Sequence, residues 1–416
     1  MKRREFVTVA GAIAAWYPMR NAQFGMRNER PNGRFRTSHS ASRIIPSQEP
    51  ALSPEVFSRR LARAQAELKA RKLDFLVATP STNYEYFTGY NPGRSERLIA
   101  LVLPVAGAPV VVCPSFEVER IKRHGVVADV RGWEEQDDPY PLVRAAVTGL
   151  TKVRHGTIAL EPSTTYETFL RLTDALPSWK FADGAAVTER LRIVKAPEEV
   201  ALIRRAIEIT EAAIAATFGQ LAAGMTERDV ARLLSREMQQ RGAEGGGLVQ
   251  FGPSSALPHG GPAGSPLERE TVVLIDCGCR VGGYTSDITR TIWFGDQPAE
   301  EFRKVFNAVH DAQTAAMQLG RPLVTKCEEM DRAARQVITD AGYGAFFTHR
   351  LGHGLGMDGH EAPYLVAGNE RRLEPGMVFT IEPGIYQLGK FGVRIEDDCL
   401  MTDNGVEVLS HRAARY

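Results

Sequence analysis

The sequence predicts two domains: an α/β domain at residues 51–185, then a domain at residues 186–416 that contains two copies of a helix pair plus an antiparallel sheet. Three observations predict this architecture. Strand and helix patterns alternate between residues 54 and 180, as in α/β domains. After residue 196, a long helix, a second helix and a group of strands occur twice in the same order. The clearest strand of each copy ends in an acid, as VVLID at residues 272–276 and VFTIE at residues 378–382. With 416 residues, 43% of them hydrophobic, the chain can build two cores.

The first residues predict an export signal at residues 1–22. Lys2, Arg3 and Arg4 precede a short apolar segment at residues 6–16, which is the arrangement of a secretory signal. Paired arginines just before such a segment indicate the twin-arginine route, which would place the protein in the periplasm. The alternative is a disordered basic tail with a chance apolar run, and the protein would then be cytoplasmic. Residues 23–50 are polar and rich in Arg, Asn and Ser, so we predict a linker.

The elements of the α/β domain follow from local patterns. Residues 54–71 read as a basic amphipathic helix, and residues 74–79 read as a strand. Apolar runs at residues 98–105 and 108–115 flank Ala106-Gly107 and predict a hairpin. Residues 157–162 predict a further strand, and a helix follows it to residue 176.

In the second domain, Pro197 opens a helix that runs to residue 221, and Thr226 caps another that runs to residue 241. Strands follow, the clearest at residues 271–277. Helices at residues 299–319 and 327–341 then repeat the order, and the clearest strand after them covers residues 377–383. Two such units would pack against each other, because neither can bury its sheet face alone.

Four acids occupy matching places in the two copies. Asp276 and Glu382 end the two apolar strands, Asp287 follows in TSDITRT, and Glu396 follows in GVRIED. Packing of the copies would bring the four acids to a shared centre. A carboxylate in an apolar strand loses hydration, and neighbouring carboxylates raise one another's pKa. We therefore predict cations between them, since two carboxylate-bridged metal ions could activate water and bind a substrate carbonyl.

Imidazoles come from the glycine-rich segment LGHGLGMDGHEAP at residues 351–363. Its glycines disfavour a helix, although His353 and His360 are seven residues apart. We predict that His353 completes the ligand set, because oxygen ligands with one imidazole suit Mn²⁺, Co²⁺, Zn²⁺ or Fe²⁺. Taken singly, each residue has an ordinary explanation, as a strand-end acid in a turn or a surface histidine. Their coincidence on matching halves favours the metal site.

The remaining features exclude several classes of function. Cys277 and Cys279 flank Asp276 on a strand whose side chains alternate, so we predict that neither sulfur is a ligand. Five scattered cysteines do not predict a disulfide framework. A net charge of +1 gives no basic field for nucleic acid, and no apolar run reaches the roughly 18–20 residues that span a bilayer.

The motifs together resemble the aminopeptidase P / prolidase family of metallopeptidases, peptidase family M24, whose members have the pita-bread fold. The motifs are PHG at residues 258–260, DITRT at 287–291, HRLGHGLG at 349–356, HEAP at 360–363, EPGIY at 382–386 and VRIED at 393–397. Residues 54–180, which include NYEYFTGY, resemble more loosely the creatinase-like N-terminal α/β domain of the family. The resemblance thus covers most of the chain after residue 50.

The resemblance implies a ligand set for two divalent ions per subunit. Asp287 and Glu396 would bridge both ions, and Asp276 would hold one of them. His353 and Glu382 would hold the other. Manganese is the expected metal, with cobalt, zinc and iron as alternatives.

The resemblance also implies roles in catalysis and substrate binding. His360 would stabilise the oxyanion formed from the scissile carbonyl, and His259 would contact the substrate. His349 would line the substrate pocket. Thr289 and Arg394 would orient the bridging acids. Glu382, besides binding metal, would accept the proton of the bridging water.

The function implied is a metal-dependent exopeptidase that uses a metal-bridging hydroxide to hydrolyse the Xaa-Pro bond at a peptide N-terminus or in a dipeptide. The expected partners are a small peptide substrate and further copies of the chain, as a dimer or tetramer. One alternative is a hydrolase or lyase of the same fold that acts on another small molecule. Another is a binding protein, although such relatives lose several ligands. Creatinase-like proteins lack the complete ligand set, and the large N-terminal domain argues against a methionine aminopeptidase.

Overall fold

A computed structural model describes residues 52–261 and 264–416 of the chain. The predicted export signal at residues 1–22 and the predicted linker at residues 23–50 lie outside these residues. Within them, no helix combines the length and the apolar character that a bilayer crossing requires.

The N-terminal domain is a six-stranded mixed sheet with helices, as the alternating patterns predict. Its strands are β1 (Phe75–Ala78), β2 (Ala100–Pro104), β3 (Val110–Pro114), β4 (Asp129–Trp133), β5 (Gly156–Leu160) and β6 (Trp179–Asp183). Its helices are α1 (Pro54–Ala70), α2 (Thr82–Thr88), α3 (Val118–His124), α4 (Tyr140–Leu150), α5 (Tyr166–Ala175) and α6 (Ala185–Ile193). The strand order is β4-β3-β2-β1-β5-β6, and β2 and β3 form the predicted antiparallel hairpin.

The central strands of this sheet are buried on both faces. Phe75 and Val77 of β1 belong to one apolar cluster, and the alternating residues Leu76 and Ala78 belong to another. A strand with side chains in two cores must be apolar throughout, which explains the continuous hydrophobic runs in the sequence. The second cluster continues into the second domain, where it includes Ile203. The predicted domain boundary after residue 185 falls at the first residue of α6, and it remains a prediction.

The second domain contains two helix pairs, and each pair is followed by strands. The first half consists of α7 (Pro197–Phe218), α8 (Glu227–Gln240), β7 (Glu244–Phe251), β8 (Thr271–Val281), β9 (Tyr284–Thr285) and β10 (Ile288–Phe294). The second half consists of α9 (Glu300–Leu319), α10 (Cys327–Asp340), β11 (Gly352–Gly354), β12 (Glu361–Leu365), β13 (Val378–Ile381), β14 (Gly384–Gln387), β15 (Phe391–Arg394), β16 (Asp397–Thr402) and β17 (Gly405–Val408). The predicted duplication is therefore confirmed at the level of secondary structure.

The strands of this domain form antiparallel sheets. The first half gives the order β10-β8-β7, with β9 paired to β8. The second half gives β12-β11-β13-β16-β17 and the separate hairpin β14-β15. The sheets are joined where the backbone N–H of Glu396 donates to the carbonyl of Thr289 over 3.1 Å. This contact places the end of each half against the other, as the matching acids require.

A buried ionic network also joins the two domains. Arg60 of α1 donates to Glu199 of α7 over 3.0 Å and to the Tyr284 hydroxyl over 2.5 Å. Both members of the Arg60–Glu199 pair are 4% exposed. Charges so deeply buried are stable only when paired, so this network depends on the two domains remaining in contact.

Candidate metal centre

The five predicted metal ligands lie at or next to strands of the catalytic domain. Asp276 lies within β8, Asp287 immediately precedes β10, and His353 lies within β11. Glu382 immediately follows β13, and Glu396 lies between β15 and β16. All five line one cavity of about 420 Å³, so acids from both halves do meet at a shared centre. The remaining residues of the wall are Pro258, His259, His349, Arg350, His360 and Arg394.

The ligand atoms form three overlapping groups whose members lie within 4.8 Å of one another. One group contains Asp276, Asp287 and Glu396, and a second contains His353, Glu382 and Glu396. Glu396 is common to both, as expected of a carboxylate between two ions. The third group contains Asp287, His353 and His360, so the structure places His360 beside the predicted ligands as well.

The charge balance of the cavity fits divalent cations. Burial, followed by repulsion from Asp276, raises the pKa of Asp287 well above its usual range. Burial and the charge of Asp287 do the same to the pKa of Glu396. The cavity therefore disfavours negative charge on both carboxyl groups together, and positive charge inside it would relieve this repulsion. Divalent ions between them would supply that charge, and the donors suit Mn²⁺, Co²⁺, Zn²⁺ or Fe²⁺.

His353 is oriented for coordination. Its Nδ1–H donates to the carbonyl of Gly354 over 3.1 Å, which leaves the lone pair on Nε2. Nε2 lies 3.2 Å from Oε1 of Glu382 and 3.8 Å from Oδ2 of Asp287. Burial by itself would raise the pKa of Glu382, but the hydrogen bond and charge of His353 lower it. Glu382 is therefore better suited to remain ionised than Asp287 or Glu396, whose pKa values are raised.

Thr289 and Arg394 lie behind the ligands, and Arg394 contacts Asp276 directly rather than one of the two acids expected to bridge. The Thr289 hydroxyl donates to Oε2 of Glu396 over 2.6 Å. Arg394 donates from Nη2 to Oδ2 of Asp276 over 2.5 Å and from Nε to the Thr289 hydroxyl over 3.1 Å. The carboxylates of Asp276 and Glu396 thereby each have one oxygen fixed by a hydrogen bond, and this fixes the direction of the other oxygen.

The sequence did not assign a role to Tyr386 or Arg350, although both lie within the quoted motifs. The Tyr386 hydroxyl accepts a hydrogen bond from Nη1 of Arg394 and lies 2.8 Å from Nε2 of His349. The position of Tyr386 two residues after Pro383-Gly384 carried no signal that its hydroxyl returns to the site. Arg350 follows His349 in the chain and lines the cavity.

Three further histidines line the cavity. His349 is half-buried, and desolvation lowers its pKa. The His360 ring lies 3.9 Å from the His353 ring, centroid to centroid. His360 is exposed toward the cavity, but partial desolvation and the neighbouring His353 lower its pKa, which favours the neutral ring. His259 is exposed at the rim.

The two cysteines beside Asp276 pack toward the interior. Cys277 belongs to the apolar cluster between sheet and helices. Cys279 donates from its Sγ to the carbonyl of Ala206 in α7 over 3.2 Å and accepts a hydrogen bond from Thr210 over 3.3 Å. These positions agree with the alternation expected along β8.

Comparison with protein families assigns both domains. The family described as Metallopeptidase family M24 matches residues 201–403, and the Creatinase/Prolidase N-terminal domain matches residues 60–194. An uncharacterized peptidase of Staphylococcus aureus is 36% identical over 356 residues, which cover 85% of this chain and 99% of that protein.

Solved structures show the same architecture along nearly their whole length. A dipeptidase from Mycobacterium ulcerans has a TM-score of 0.81 and 36% identity, over 87% of this chain and 98% of that one. A prolidase from Thermococcus sibiricus has a TM-score of 0.80 and 32% identity, over 86% and 97%. An X-Pro aminopeptidase from Thermotoga maritima has a TM-score of 0.76 and 32% identity, over 85% and 98%. The fold class expected from the sequence is therefore confirmed.

Proposed function

The chain belongs to the metallopeptidase family M24 and is an enzyme of its Xaa-Pro peptidase class, and within that class we propose that it prefers Xaa-Pro dipeptides to longer peptides. The observation that carries the dipeptide preference is a cation in the cavity wall, Arg350, which differs from Arg394 in that it is not paired with one of the predicted metal ligands. The alternative of a non-peptidase hydrolase or lyase has no comparable support.

Arg350 fits the free carboxylate of a dipeptide. Its guanidinium lies 4.6 Å from the Tyr364 ring and 3.4 Å from Nδ1 of His360. Among the described residues, it makes no ion pair with a carboxylate of the chain. A guanidinium binds a carboxylate in a bidentate manner, whereas the internal amide of a longer peptide offers only one neutral acceptor. A cavity of about 420 Å³ is also small for a long substrate.

Asp276, Asp287, His353, Glu382 and Glu396 would hold the two divalent ions. Bound there, the ions would supply an activated water and polarise the scissile carbonyl. We propose manganese as the metal, because the donor set is dominated by carboxylate oxygens.

The residues of the chain account for the proton movements. Glu382, whose pKa is lowered, can accept a proton at a carboxylate oxygen. Nδ1 of His360 accepts a hydrogen bond from Arg350. The neutral ring therefore carries its proton on Nε2, where it can donate to the oxygen that becomes negative when the carbonyl is attacked. Arg350 would thus contact the carboxylate of the proline residue, and His360 would contact the carbonyl of the residue before it.

Three further proposals concern the biological context. We propose that the chain acts as a homo-oligomer, a dimer or tetramer, in keeping with the family resemblance. We propose that it is exported to the periplasm by the twin-arginine route, on the basis of residues 1–22. Size determination in solution tests the oligomeric state, and immunodetection in fractionated cells tests the localisation. The third proposal is that the substrates of the enzyme are small peptides.

The dipeptide preference is tested with Ala-Pro, Ala-Pro-amide and Ala-Pro-Gly and the manganese-loaded enzyme. We expect kcat/KM for Ala-Pro to exceed that for the amide by about 10- to 100-fold, the effect of a charge-assisted hydrogen bond. Arg350→Met should remove most of this difference, whereas Arg332→Met, on an exposed face of α10, should leave it unchanged. Equal kcat/KM values for the dipeptide and its amide would exclude the proposed preference. No hydrolysis of any Xaa-Pro peptide would exclude the activity itself.

A further inference from the structure

The segment that carries His360 has backbone hydrogen bonds to neighbouring strands only at its start, where Leu355 donates to Val378 and Gly356 accepts from Thr285. It connects β11 to β12, and the β11–β12 ladder is irregular between His353 and Gly354. Residues 355–360 lie outside the strands, and the His360 side chain is exposed at the cavity. An oxyanion donor must keep its position to be effective, so other contacts must fix this segment.

Those contacts come from buried charged side chains. Glu361, next to His360, pairs with Nζ of Lys195 over 2.7 Å through one oxygen and with Nη2 of Arg192 through the other. The side chains of Lys195, Glu361 and Arg192 are 1%, 10% and 11% exposed. Arg192 also pairs with Asp358 over 2.6 Å. The guanidinium of Arg192 thus binds the carboxylates of Asp358 and Glu361, which lie on either side of His360 in the chain.

The cations of this cluster come from the N-terminal domain and the connection that leaves it. Arg192 lies in the last turn of α6, and Lys195 lies between α6 and α7. In α2, the Thr82 hydroxyl donates to Oδ1 of Asp358 over 2.6 Å. Also in α2, Asn83 accepts from Nη1 of Arg192 over 2.9 Å. The N-terminal domain therefore contacts the segment before His360 from two helices.

We propose that Arg192, Lys195 and Thr82 are positioning residues through which the N-terminal domain holds His360 in place. We call the contacts of Arg192, Lys195 and Thr82 with Asp358 and Glu361 the interdomain clamp. The clamp acts on catalysis only through His360, so this inference rests on the function proposed above. It assigns the N-terminal domain a part in the active site of its own chain.

The interface offers a matched control for a purely structural role. Arg60 is buried like Arg192, belongs to the same domain, and pairs with an acid of the catalytic domain, Glu199. Its partners lie on α7, on β9 and at the carbonyl of Tyr86 near the end of α2, and none of them lies in the 355–361 segment. Arg60→Met and Arg192→Met therefore both remove a buried cation between the domains, but only the second releases the His360 segment.

Hydrogen–deuterium exchange of the metal-free full chain tests the clamp without any assay of activity. We expect Arg192→Met to accelerate exchange in peptides that cover residues 355–361. Arg60→Met should leave these peptides as in the wild type. Thr82→Val, which removes a single hydrogen bond, should give a smaller change in the same peptides and serves as the test if Arg192→Met does not fold. Unchanged exchange in both Thr82→Val and Arg192→Met would overturn the proposal.

Kinetics of the manganese-loaded enzyme then test whether the clamp acts through His360. Arg192→Met should lower kcat for Ala-Pro by about 10- to 100-fold, the effect of a small displacement of a reacting group. Arg192→Lys should recover part of this loss. In a His360→Ala background, Arg192→Met should lower kcat little further, because the residue it positions is gone. An equal loss in both backgrounds would overturn the proposal. If the wild type hydrolyses no Xaa-Pro peptide, the proposed activity fails, while the exchange experiment still decides the clamp.

Discussion

The two halves of the catalytic domain share their element order but use the segment after the second helix differently. In the first half, β7 pairs with β8 along eight consecutive residues from Glu244 to Phe251. In the second half, the corresponding segment contains only the three-residue strand β11 and pairs with β13 at Gly354 alone. That segment instead contributes His349, Arg350 and His353 to the cavity. The second half thus has less regular strand pairing in the segment that contributes side chains to the cavity.

The second half replaces the missing strand contacts with side chains of α10. Arg335 donates from Nη1 to the carbonyl of Phe347 and from Nη2 to that of His349, each over 2.9 Å. Asp331 accepts from the backbone N–H of Leu351 over 3.0 Å and pairs with Arg335 over 2.8 Å. Backbone polar groups without a strand partner must find another one, and this pair supplies it.

The equivalent helix of the first half has no such pair. Helices α8 and α10 are both 14 residues long, and each follows a capping residue, Thr226 or Lys326. By this alignment, Ala231 and Ser235 of α8 correspond to Asp331 and Arg335 of α10. The difference in side chains therefore matches the difference in strand pairing.

The largest expected effect comes from the acids that the two halves bring together. Asp287→Ala removes a carboxylate that lies within 4.8 Å of both Asp276 and Glu396. We expect loss of bound metal and a fall in kcat/KM of more than about 100-fold, since even residues behind metal ligands contribute about 10- to 100-fold. Elemental analysis of the purified variant, with peptide hydrolysis, measures both quantities. A variant that keeps two ions and normal turnover would show that the halves do not share the centre.

His360→Ala separates the substrate-facing contribution of the second half from metal binding. We expect turnover to fall by about 100-fold or more, the usual effect of removing an oxyanion donor. Metal content should stay near that of the wild type. The same elemental analysis applies, and equal metal loss in His360→Ala and Asp287→Ala would mean that His360 is a ligand.

Arg335→Met tests the replacement of strand pairing by side chains. It leaves the carbonyls of Phe347 and His349 without their donor, which should lower the free energy of unfolding by about 1–3 kcal/mol. Because the same segment carries Arg350, we also expect a KM for Ala-Pro raised by roughly 10-fold, with metal content unchanged.

The control for Arg335→Met is Ser235→Ala, at the corresponding position of the first half. In the first half β7 is already paired with β8. Ser235→Ala should therefore leave KM unchanged and should change the free energy of unfolding by no more than about 0.5 kcal/mol. Equal effects of the two substitutions would contradict the comparison of the halves. Denaturation curves and steady-state kinetics on both variants provide the measurement.

The sequence predicted what depends on local pattern and on the duplication. The apolar strand before each acid located Asp276 and Glu382, and the repeated order indicated that they would meet. It did not predict that Arg335 binds the backbone of residues 347–349, or that Arg192 reaches Glu361. These contacts join residues far apart in the chain, and their formation depends on how the helices pack on the sheets.

The smallest expected effect lies at the starts of the two equivalent helices. The Thr226 hydroxyl accepts from the backbone N–H of Asp229 over 3.2 Å at the start of α8. At the start of α10, the Lys326 side chain contains no hydrogen-bond acceptor. The Glu329 carboxylate still accepts from the backbone N–H of Lys326 over 2.8 Å. Thr226→Ala should therefore lower stability by about 1 kcal/mol, the usual effect of losing a capping side chain.

Lys326→Ser should have the opposite effect, because it introduces the missing acceptor. The gain should be less than about 1 kcal/mol, since the substitution also removes an ion pair with Glu370 over 3.1 Å at the surface. For a chain of this size such changes shift Tm by no more than about 2–4 °C. Calorimetry should find Thr226→Ala below and Lys326→Ser above the wild type. Shifts of the same sign would mean that the two helix starts, like the strands that follow them, are not equivalent.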